Sequence, residues 1–589
     1  MYHHGDFISF ASPEYGVWAF PPMLTLPAPR WILRPVAAEA LARVRAYSGA
    51  KLSPLVQQLL AQRDPGSAEG VEKFLHPKLK ELSDPFLLPN MEAAVTRLFQ
   101  AVDLQQRVVL FGDYDVDGVS SLTLLRSILL AYGLEARCFL PLRMEEGYGL
   151  SREGLERCLS EGPADLLVAV DCGTSARVES EWLLSQGIEM VVLDHHEPDP
   201  ARLPPCPVVN PKLGDGWHYL CSAGVVFKLG HAMGKRRPAE NFELKDHLDV
   251  VALATVADIV PLVDENRLFV RKGLQAMENT HREGLRALIE IAGVSSPIDS
   301  MDLGFRLAPR LNAAGRLDTA KTALDLLLAP TRRDALALAQ TLDAHNRERQ
   351  DVEHTMQQDA QEMSIRLTAD TDPAGLVLAS RDWHPGVVGI VAARLMRKFH
   401  RPIFVIAIDE NGIGKGSGRS VEGVSLIAAI DDCRSLLMAG GGHDAAAGLT
   451  IAEANIPAFR ERFNESVGRQ LTEGTIEPLI HLDAETRLAE LTLEFLDTYE
   501  LLQPFGSGNP RPLFLARNVL PANEPRLLRE RHWKFDFYQE GTRRGGIWFN
   551  GAHEQLPKPP WDVAFYVDRN NFRGETTIQL LVQDMRVSQ

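Results

Sequence analysis

Three short apolar runs, rich in β-branched residues, each stop at an acidic or imidazole side chain. That repetition restricts the fold more than any other feature of the chain. Val108-Val109-Leu110 leads into Gly112-Asp113-Tyr114-Asp115-Val116-Asp117-Gly118, Leu166-Leu167-Val168-Ala169-Val170 ends at Asp171, and Met190-Val191-Val192-Leu193 ends at Asp194-His195-His196. Runs of this length without polar alternation read as strands buried on both faces, as in a parallel sheet covered by helices. In open α/β sheets, functional groups collect beyond the carboxyl ends of the strands. These segments, with Ala257-Asp258, would therefore bring several carboxylates and two histidines to one crevice. Carboxylates crowded that closely repel one another unless divalent cations neutralise them. Oxygen donors with imidazole suit manganese, and oxygen-rich sets suit magnesium. The direct reading is a two-metal phosphoesterase site, and the favoured mechanism uses one or two Mn2+ or Mg2+ ions.

A chain of 589 residues, 45% of them hydrophobic, has room for several cores, so about three domains are expected. No apolar run reaches the roughly 18 residues of a membrane span. The start, Met1-Tyr2-His3-His4-Gly5-Asp6, lacks the basic beginning and apolar core of a signal peptide. Six cysteines are scattered without Cys-x-x-Cys spacing, which indicates neither a disulfide framework nor a zinc cluster. A cytoplasmic, membrane-free monomer is the expectation. The formal charge of −16 argues against a generic nucleic-acid coat protein. It is compatible with a nuclease that joins an acidic metal site to a local basic groove.

Along the chain, residues up to about Leu24 read as a leader without periodicity, with Met23 as an alternative start. Trp31-Ile32-Leu33-Arg34-Pro35 opens the first ordered-looking stretch, and the N-terminal leader segment as a whole is taken as residues 1–45. Residues 46–330 alternate apolar runs with helical patterns and predict an α/β, doubly wound parallel-sheet domain. Residues 331–366 contain neither Gly nor Pro and predict one long, largely exposed connecting helix. Residues 367–469 predict a second α/β domain, and residues 470–589 a small OB-type β-barrel.

Asp113, Asp115 and Asp117 alternate, and on an extended loop alternation puts side chains on one side, where two can share a metal. A solvated Asx-type turn is the commoner fate of such a segment alone. An EF-hand loop is also conceivable, but its closing Glu is missing: Leu124 holds that position, inside an apolar run. A neutral imidazole is a good ligand and a neighbouring carboxylate can orient it, so Asp194-His195-His196 at a strand end favours a ligand cluster. Asp171 and Asp258 each resemble a helix N-cap when taken alone; only the combination raises them. Two glycine-rich turns are expected at residues 414–420 and 440–444. In the first, exposed amides with Ser417 and Arg419 would form a nest for a terminal phosphate. In the last domain, basic residues of the stretch 526–535 interleave with Trp533 and Phe535, followed by Tyr538 and Trp548. That pattern suits base stacking and phosphate attraction, with about half of the aromatics expected inside the barrel.

Taken together, the segments resemble the DHH phosphoesterase family. Their order and extent, from about Trp31 to the C-terminus, are similar to its single-strand-specific exonucleases. The likeness includes Pro309-Arg310-Leu311-Asn312-Ala313-Ala314-Gly315-Arg316, Trp383-His384-Pro385-Gly386-Val387-Val388-Gly389-Ile390, Gly441-Gly442-His443-Asp444-Ala445-Ala446-Ala447-Gly448 and Pro504-Phe505-Gly506-Ser507-Gly508-Asn509-Pro510. The resemblance implies that Asp115, Asp117, Asp171, His195 and Asp258 are metal ligands, with His196 as a further ligand or a general-acid and orienting group. The family often carries a histidine four residues before the first ligand aspartate; here that position is Phe111, and Asp113 could partly compensate. Arg310, Asn312 and Arg316 are expected in a loop, where their planar groups suit phosphate and transition-state charge. His384 and His443 would face substrate in the second α/β domain, the DHH-associated domain. The implied activity is metal-dependent 5′→3′ hydrolysis of single-stranded DNA to mononucleotides in DNA repair and recombination. Single-strand-binding protein or a helicase is the implied protein partner. Two alternatives are a phosphodiesterase acting on short oligoribonucleotides or cyclic dinucleotides and an inactive single-strand-binding scaffold. The extra C-terminal domain argues against the first, and the intact acidic and histidine positions argue against the second.

Overall fold

The computed structural model describes residues 28–48, 51–142, 146–147, 149–317, 319–370, 372–471, 478–572 and 574–588. They divide into two units, one of residues 31–351 with 480–589 and another centred on residues 352–479. Among the described residues no helix is long and apolar enough to cross a membrane.

The first unit is built on a five-stranded parallel sheet. Its strands are β1 (Val108–Gly112), β2 (Arg137–Phe139), β3 (Leu166–Val170), β4 (Glu189–Leu193) and β5 (Val208–Val209), in the order β2-β1-β3-β4-β5. Every residue of β1 and β3 is buried, as continuous apolar runs require when helices cover both faces. The register pairs Gly112 with Val170 and Val170 with Leu193, so the three strands end flush. Chain order reverses between β1 and β3, the switch point at which such sheets bind ligands. Alternation sends Val108 and Leu110 into the larger core and Val109 and Phe111 into the opposite one. Phe111 is fully buried, 5.2 Å from the Phe139 ring centre.

Helices α1 (Val116–Ala131), α2 (Ser222–Arg236), α3 (Leu248–Ala257) and α4 (Asp264–Glu278) follow in this unit. The loop expected around Arg310 is corrected. A π-helical turn, Leu303–Leu307, runs into α5 (Ala308–Leu317). Leu307, Leu311 and Ala314 recur at helical spacing and are buried in the main core. Pro309 stands just past the π-helical turn, an irregularity that accompanies a proline inside a helix because it has no N–H to donate. The connecting helix, α6, spans Arg332–Asp370. Its exposure was overestimated: Ala335, Ala339, Leu342 and the polar Asp343, Asn346, Arg349 and Glu353 are all buried.

The second unit carries β6 (Leu376–Ser380), α7 (Val388–Phe399), β7 (Ile403–Ile408), β8 (Ile413–Arg419), β9 (Leu437–Gly442), β10 (Ala446–Ala452) and α8 (Ile456–Gln470). Its sheet has the order β9-β10-β8-β7-β6, with only β6 and β7 parallel. Both glycine-rich segments expected as turns are therefore mainly strands. The reason is steric, because a Cβ at residue 416 would approach Ile406 and Leu449 to 2.9 Å, and one at 418 would approach Phe404 to 2.5 Å.

The C-terminal domain, in the first unit, comprises β11 (Ala484–Glu485), β12 (Phe514–Pro521), β13 (Arg526–Leu528), β14 (His532–Gln539), β15 (Thr542–Trp548), β16 (Trp561–Phe572) and β17 (Glu575–Val587). Pairing of β12 with both β16 and β14 partly closes the sheet into the OB barrel. Its core is shared with three N-terminal helices, Ala38–Ser48, Pro54–Ala61 and Ala68–Leu75: Val44, Val56, Leu59 and Leu75 join Phe495, Phe514 and Phe565 in one cluster. The reading of residues 28–45 as a leader is thereby corrected, while residues 1–27 lie outside the described residues.

Candidate metal centre and substrate-binding residues

Flush strand ends set Asp113, Asp171 and Asp194 on neighbouring strands as the first residues past the sheet. The chain then turns at once into α1. Asp115 is its N-cap, accepting hydrogen bonds from the amides of Asp117 (2.9 Å) and Gly118 (3.1 Å). The extended loop expected for the three aspartates is corrected, because Asp117 lies in the first turn of α1. There it accepts hydrogen bonds from the amides of Ser222 (2.7 Å) and Ala223 (2.9 Å) at the start of α2. Asp171 adopts a left-handed conformation (φ 63°), which aspartate tolerates better than most residues, and accepts a hydrogen bond from the Ser222 hydroxyl at 2.9 Å. Asp258 is a C-cap of α3, not an N-cap.

His195 is the hub. Its Nε2 lies 3.4 Å from Asp171 Oδ1, 3.5 Å from Asp258 Oδ2 and 3.8 Å from Asp117 Oδ2. His196 turns its Nδ1 to Asp194 Oδ1 at 2.8 Å. Asp194 also accepts hydrogen bonds from the amides of His195, His196 and Thr174, and Asn210 holds the His196 carbonyl at 2.8 Å. Asp194 was read from sequence only within its triplet, with no role of its own, and Asn210 and Ser222 were not singled out. Asp194 had a signal as the first member of its triplet; the other two stand in segments with no acidic or imidazole pattern.

Burial, reinforced by Asp115, lifts the Asp117 carboxyl to about 6. Burial, then Asp117 and Asp115, lifts Asp258 to about 8. Burial with the charges of Asp117, Asp115, Asp113 and Asp194 drives Asp171 well above the carboxylate range. Burial, with His196 alongside, lowers His195 to about 3, so that its ring is neutral and able to ligate. For His196 burial alone would act downward, but the Asp194 hydrogen bond and charge outweigh it and the net movement is upward. Three overlapping sets of side chains bring their ligand atoms within 4.8 Å of one another: Asp113-Asp115-Asp171, Asp117-His195-Asp258 and Asp171-His195-His196. Among the described residues the buried Oδ2 of Asp258 has no hydrogen-bond partner. Self-repelling carboxylates, a neutral imidazole and this acceptor together fit a divalent cation.

Helix α5 is applied directly to this loop: a Cβ at Gly315 would lie 2.9 Å from the Tyr114 carbonyl. Arg310 on the same helix is ion-paired with Asp343 at 2.9 Å. Asn312 is half-buried on α5, and the side chain of Arg316 lies outside the described residues.

In the second unit Arg419 Nη1 donates to the Ser417 hydroxyl (3.0 Å) and the Gly418 carbonyl (2.7 Å). Both side chains stand at the first turn of α7, where a Cβ on Gly389 would come within 3.2 Å of Arg419 Nη2 and Ser417 Oγ. A helix N-terminus, a guanidinium and a hydroxyl thus meet at one point, the composition of an anion site. His384 precedes α7, its Nδ1 accepting a hydrogen bond from the Gly386 amide at 3.1 Å, and His443 is exposed in the turn between β9 and β10.

On β14, Trp533 is half-buried opposite Trp548. Phe535 is corrected: it is 3% exposed and stacked 4.9 Å from Phe537 inside the barrel, so it offers no surface to a base. Strand alternation sends Lys534 and Tyr538 outward instead.

Family models match three parts of the chain: the N-terminal domain of the DHH family over residues 107–255, the DHHA1 domain over 372–469 and the RecJ OB domain over 482–584. The single-stranded-DNA-specific exonuclease RecJ of Dickeya dadantii is 36% identical, over 91% of this chain and 96% of the relative. The crystal structure of Thermus thermophilus RecJ with Mn2+ superposes with a TM-score of 0.81 at 30% identity, covering 95% of this chain and 80% of that one. The same protein with Mg2+ gives a TM-score of 0.75 at 29% identity, covering 95% and 79%.

Proposed function

The chain belongs to the RecJ family of single-stranded-DNA-specific exonucleases, and on that premise we propose that it hydrolyses single-stranded DNA from the 5′ end, releasing mononucleotides in DNA repair and recombination. The enzyme is a metal-dependent hydrolase. Asp113, Asp115, Asp117, Asp171, His195 and Asp258 would hold Mn2+ or Mg2+, which when bound would supply Lewis acidity and lower the pKa of a water for attack on phosphorus. The single observation that carries this reading is the convergence of those side chains beyond three flush strand ends.

The protein's own groups do the rest. His195, neutral and hemmed in by Asp171, Asp258 and Asp117, offers a lone pair where a protonated ring would offer none. His196 is oriented by Asp194, which raises its proton affinity and suits it to hand a proton to the leaving oxygen. Arg310, Asn312 and Arg316, on a helix packed against the aspartate loop, steady the charge of the phosphate. Ser417 and Arg419 at the start of α7 capture a terminal 5′ phosphate and so fix polarity. The exposed basic and aromatic groups of β13 and β14 attract and stack the strand.

Incubation of 5′-labelled single-stranded DNA, duplex DNA and a dinucleotide with Mn2+, Mg2+ or chelator tests the reading. Mononucleotides should appear from the 5′ end of the single strand, only with metal. Equal attack on duplex, release from the 3′ end, or turnover confined to dinucleotides would refute it.

A further inference from the structure

One motif of the C-terminal domain, residues 504–510, takes no part in the chemistry above, yet it is latched onto the parallel-sheet domain at the segment that follows Asp258. Leu262 donates its amide to the Ser507 carbonyl at 2.7 Å, and the Ser300 hydroxyl donates to the Phe505 carbonyl at 2.6 Å. The turn is rigid in itself. Gly506 and Asn509 exchange backbone hydrogen bonds. The buried Asn509 donates to the carbonyls of Leu502 and Pro504 and accepts a hydrogen bond from Arg63 Nε at 2.6 Å. Gly508 has φ +70°, and a Cβ there would meet Pro261 at 3.0 Å and Val263 at 3.3 Å. A Cβ on Gly506 would meet Leu262 at 2.7 Å. The turn therefore lies flush against residues 261–263.

Those residues begin three positions after Asp258. Its amide closes α3 by donating to Ala254, and Ile259 next to it reverses the chain at φ +60°. From there the segment is held at the Pro261 carbonyl by Asn266 (3.0 Å) and at the Leu262 amide by the turn. Arg267, next on α4, is buried and donates to the carbonyls of Phe74, Leu501 and Leu502, bolting the same seam. Asp258 Oδ2 thus reaches the metal centre from a peptide whose path is fixed on one side by α3 and on the other by the C-terminal domain.

We infer that the 504–510 turn is a positioning element for the metal ligand Asp258, with Gly508 and Asn509 as positioning residues through which the C-terminal domain sets the affinity of the centre for its cation. The inference rests on the assignment of Asp258 as a ligand under the proposed function. Partners that orient metal ligands typically govern about 10–100-fold of metal affinity, and a displaced turn would loosen Asp258 by that route.

The test is Mn2+ binding to the full chain without DNA, followed through the paramagnetic resonance of free Mn2+, with circular dichroism as a check on folding. Gly508→Ala should push the turn off Pro261, and both it and Asn509→Ser should weaken Mn2+ binding about ten-fold or more. Hydrolysis should recover as Mn2+ is raised. Asn509→Ser adds no bulk and keeps a polar group, so it reports even if the Gly508→Ala clash prevents folding. Asp258→Asn distinguishes the two levels: if it leaves Mn2+ affinity unchanged, the ligand assignment fails and the inference with it. If Asp258→Asn weakens binding while the folded turn variants bind Mn2+ as the wild type does, the inference alone is overturned.

Discussion

Removing the charge of Asp258 should make the metal-free protein more stable while weakening its response to metal. Asp258 is raised from the ordinary 3.8 to about 8, by burial first and then by Asp117 and Asp115. Because the folded value lies above the unfolded one, the contribution to stability is fully present below about pH 4 and is lost as pH rises through about 8. At pH 7.5 almost four pH units separate the medium from the ordinary value, and at about 1.4 kcal/mol each the ceiling is about 5 kcal/mol. The side chain keeps 22% exposure, and at the effective dielectric of such sites the net cost falls to on the order of 2–3 kcal/mol. Asparagine copies the protonated shape without titrating. In EDTA at pH 7.5 Asp258→Asn should therefore exceed wild type by that amount, with the gain shrinking to about a third at pH 5.0. Mn2+ at about 1,000 times the wild-type dissociation constant should stabilise wild type by about 4 kcal/mol and the variant by clearly less, because one ligand of the cluster is gone, which narrows the gap between them. Urea unfolding at the two pH values, with EDTA or Mn2+, reads all four cases. A variant less stable than wild type in EDTA at pH 7.5 would refute the reasoning, because the carboxyl would then be serving the fold.

Asp171→Ala or His195→Ala should cut hydrolysis by on the order of 10³-fold or more, since metal polarisation supplies several kcal/mol, while strand binding measured in chelator stays intact; near-wild-type turnover would remove that residue from the centre. Arg419→Ala should lose the preference for a 5′-phosphorylated over a 5′-hydroxyl end by about ten- to a hundredfold, the value of a charge-assisted hydrogen bond of about 1.5–3 kcal/mol. Equal slowing of both ends would move the polarity determinant elsewhere. Arg526→Ala with Lys534→Ala should flatten the salt dependence of strand binding by about 0.7 in log–log slope for each phosphate no longer neutralised, and an unchanged slope would take the strand off that face of the barrel.

The parallel sheet was legible because strands buried on both faces leave no room for polar alternation, and Asp113, Asp171 and the Asp194-His195-His196 triplet were legible because they follow the ends of those strands. Asp115 shows why a local pattern is ambiguous: it is the Asx-type cap expected of a solvated turn and a member of the cluster at once. Asp258 was grouped with the cluster for an incomplete reason: the apolar run before it does not declare whether it is a strand leading into a helix or a helix that ends there, and it proves to be α3. The segment at Arg310 looked like a loop because Pro309, Asn312 and Gly315 are turn formers. Only tertiary packing reveals that Gly315 is small in order to approach Tyr114. The glycines of β8 misled in the same way, their size being dictated by Phe404, Ile406 and Leu449 on neighbouring strands. Phe535 was unreadable because an alternating strand gives no sign of which face is inward until its partner strands are known.

The core that joins residues 40–75 to residues 484–585 sets a schedule for biosynthesis. The helices containing Val44, Val56 and Leu75 leave the ribosome first, but the aromatic side chains they pack against are made last. Even the indole of Trp31 waits for the carboxylate of Asp584, 553 positions later. At about 5–20 residues per second the roughly 400 intervening residues take about 20–80 s to synthesise. For that interval the amphipathic N-terminal helices have only non-native surfaces to cover them, a demand that falls on chaperones. A chain that stops before residue 484 leaves Val44, Val56 and Leu75 without the partners that bury them in the finished core.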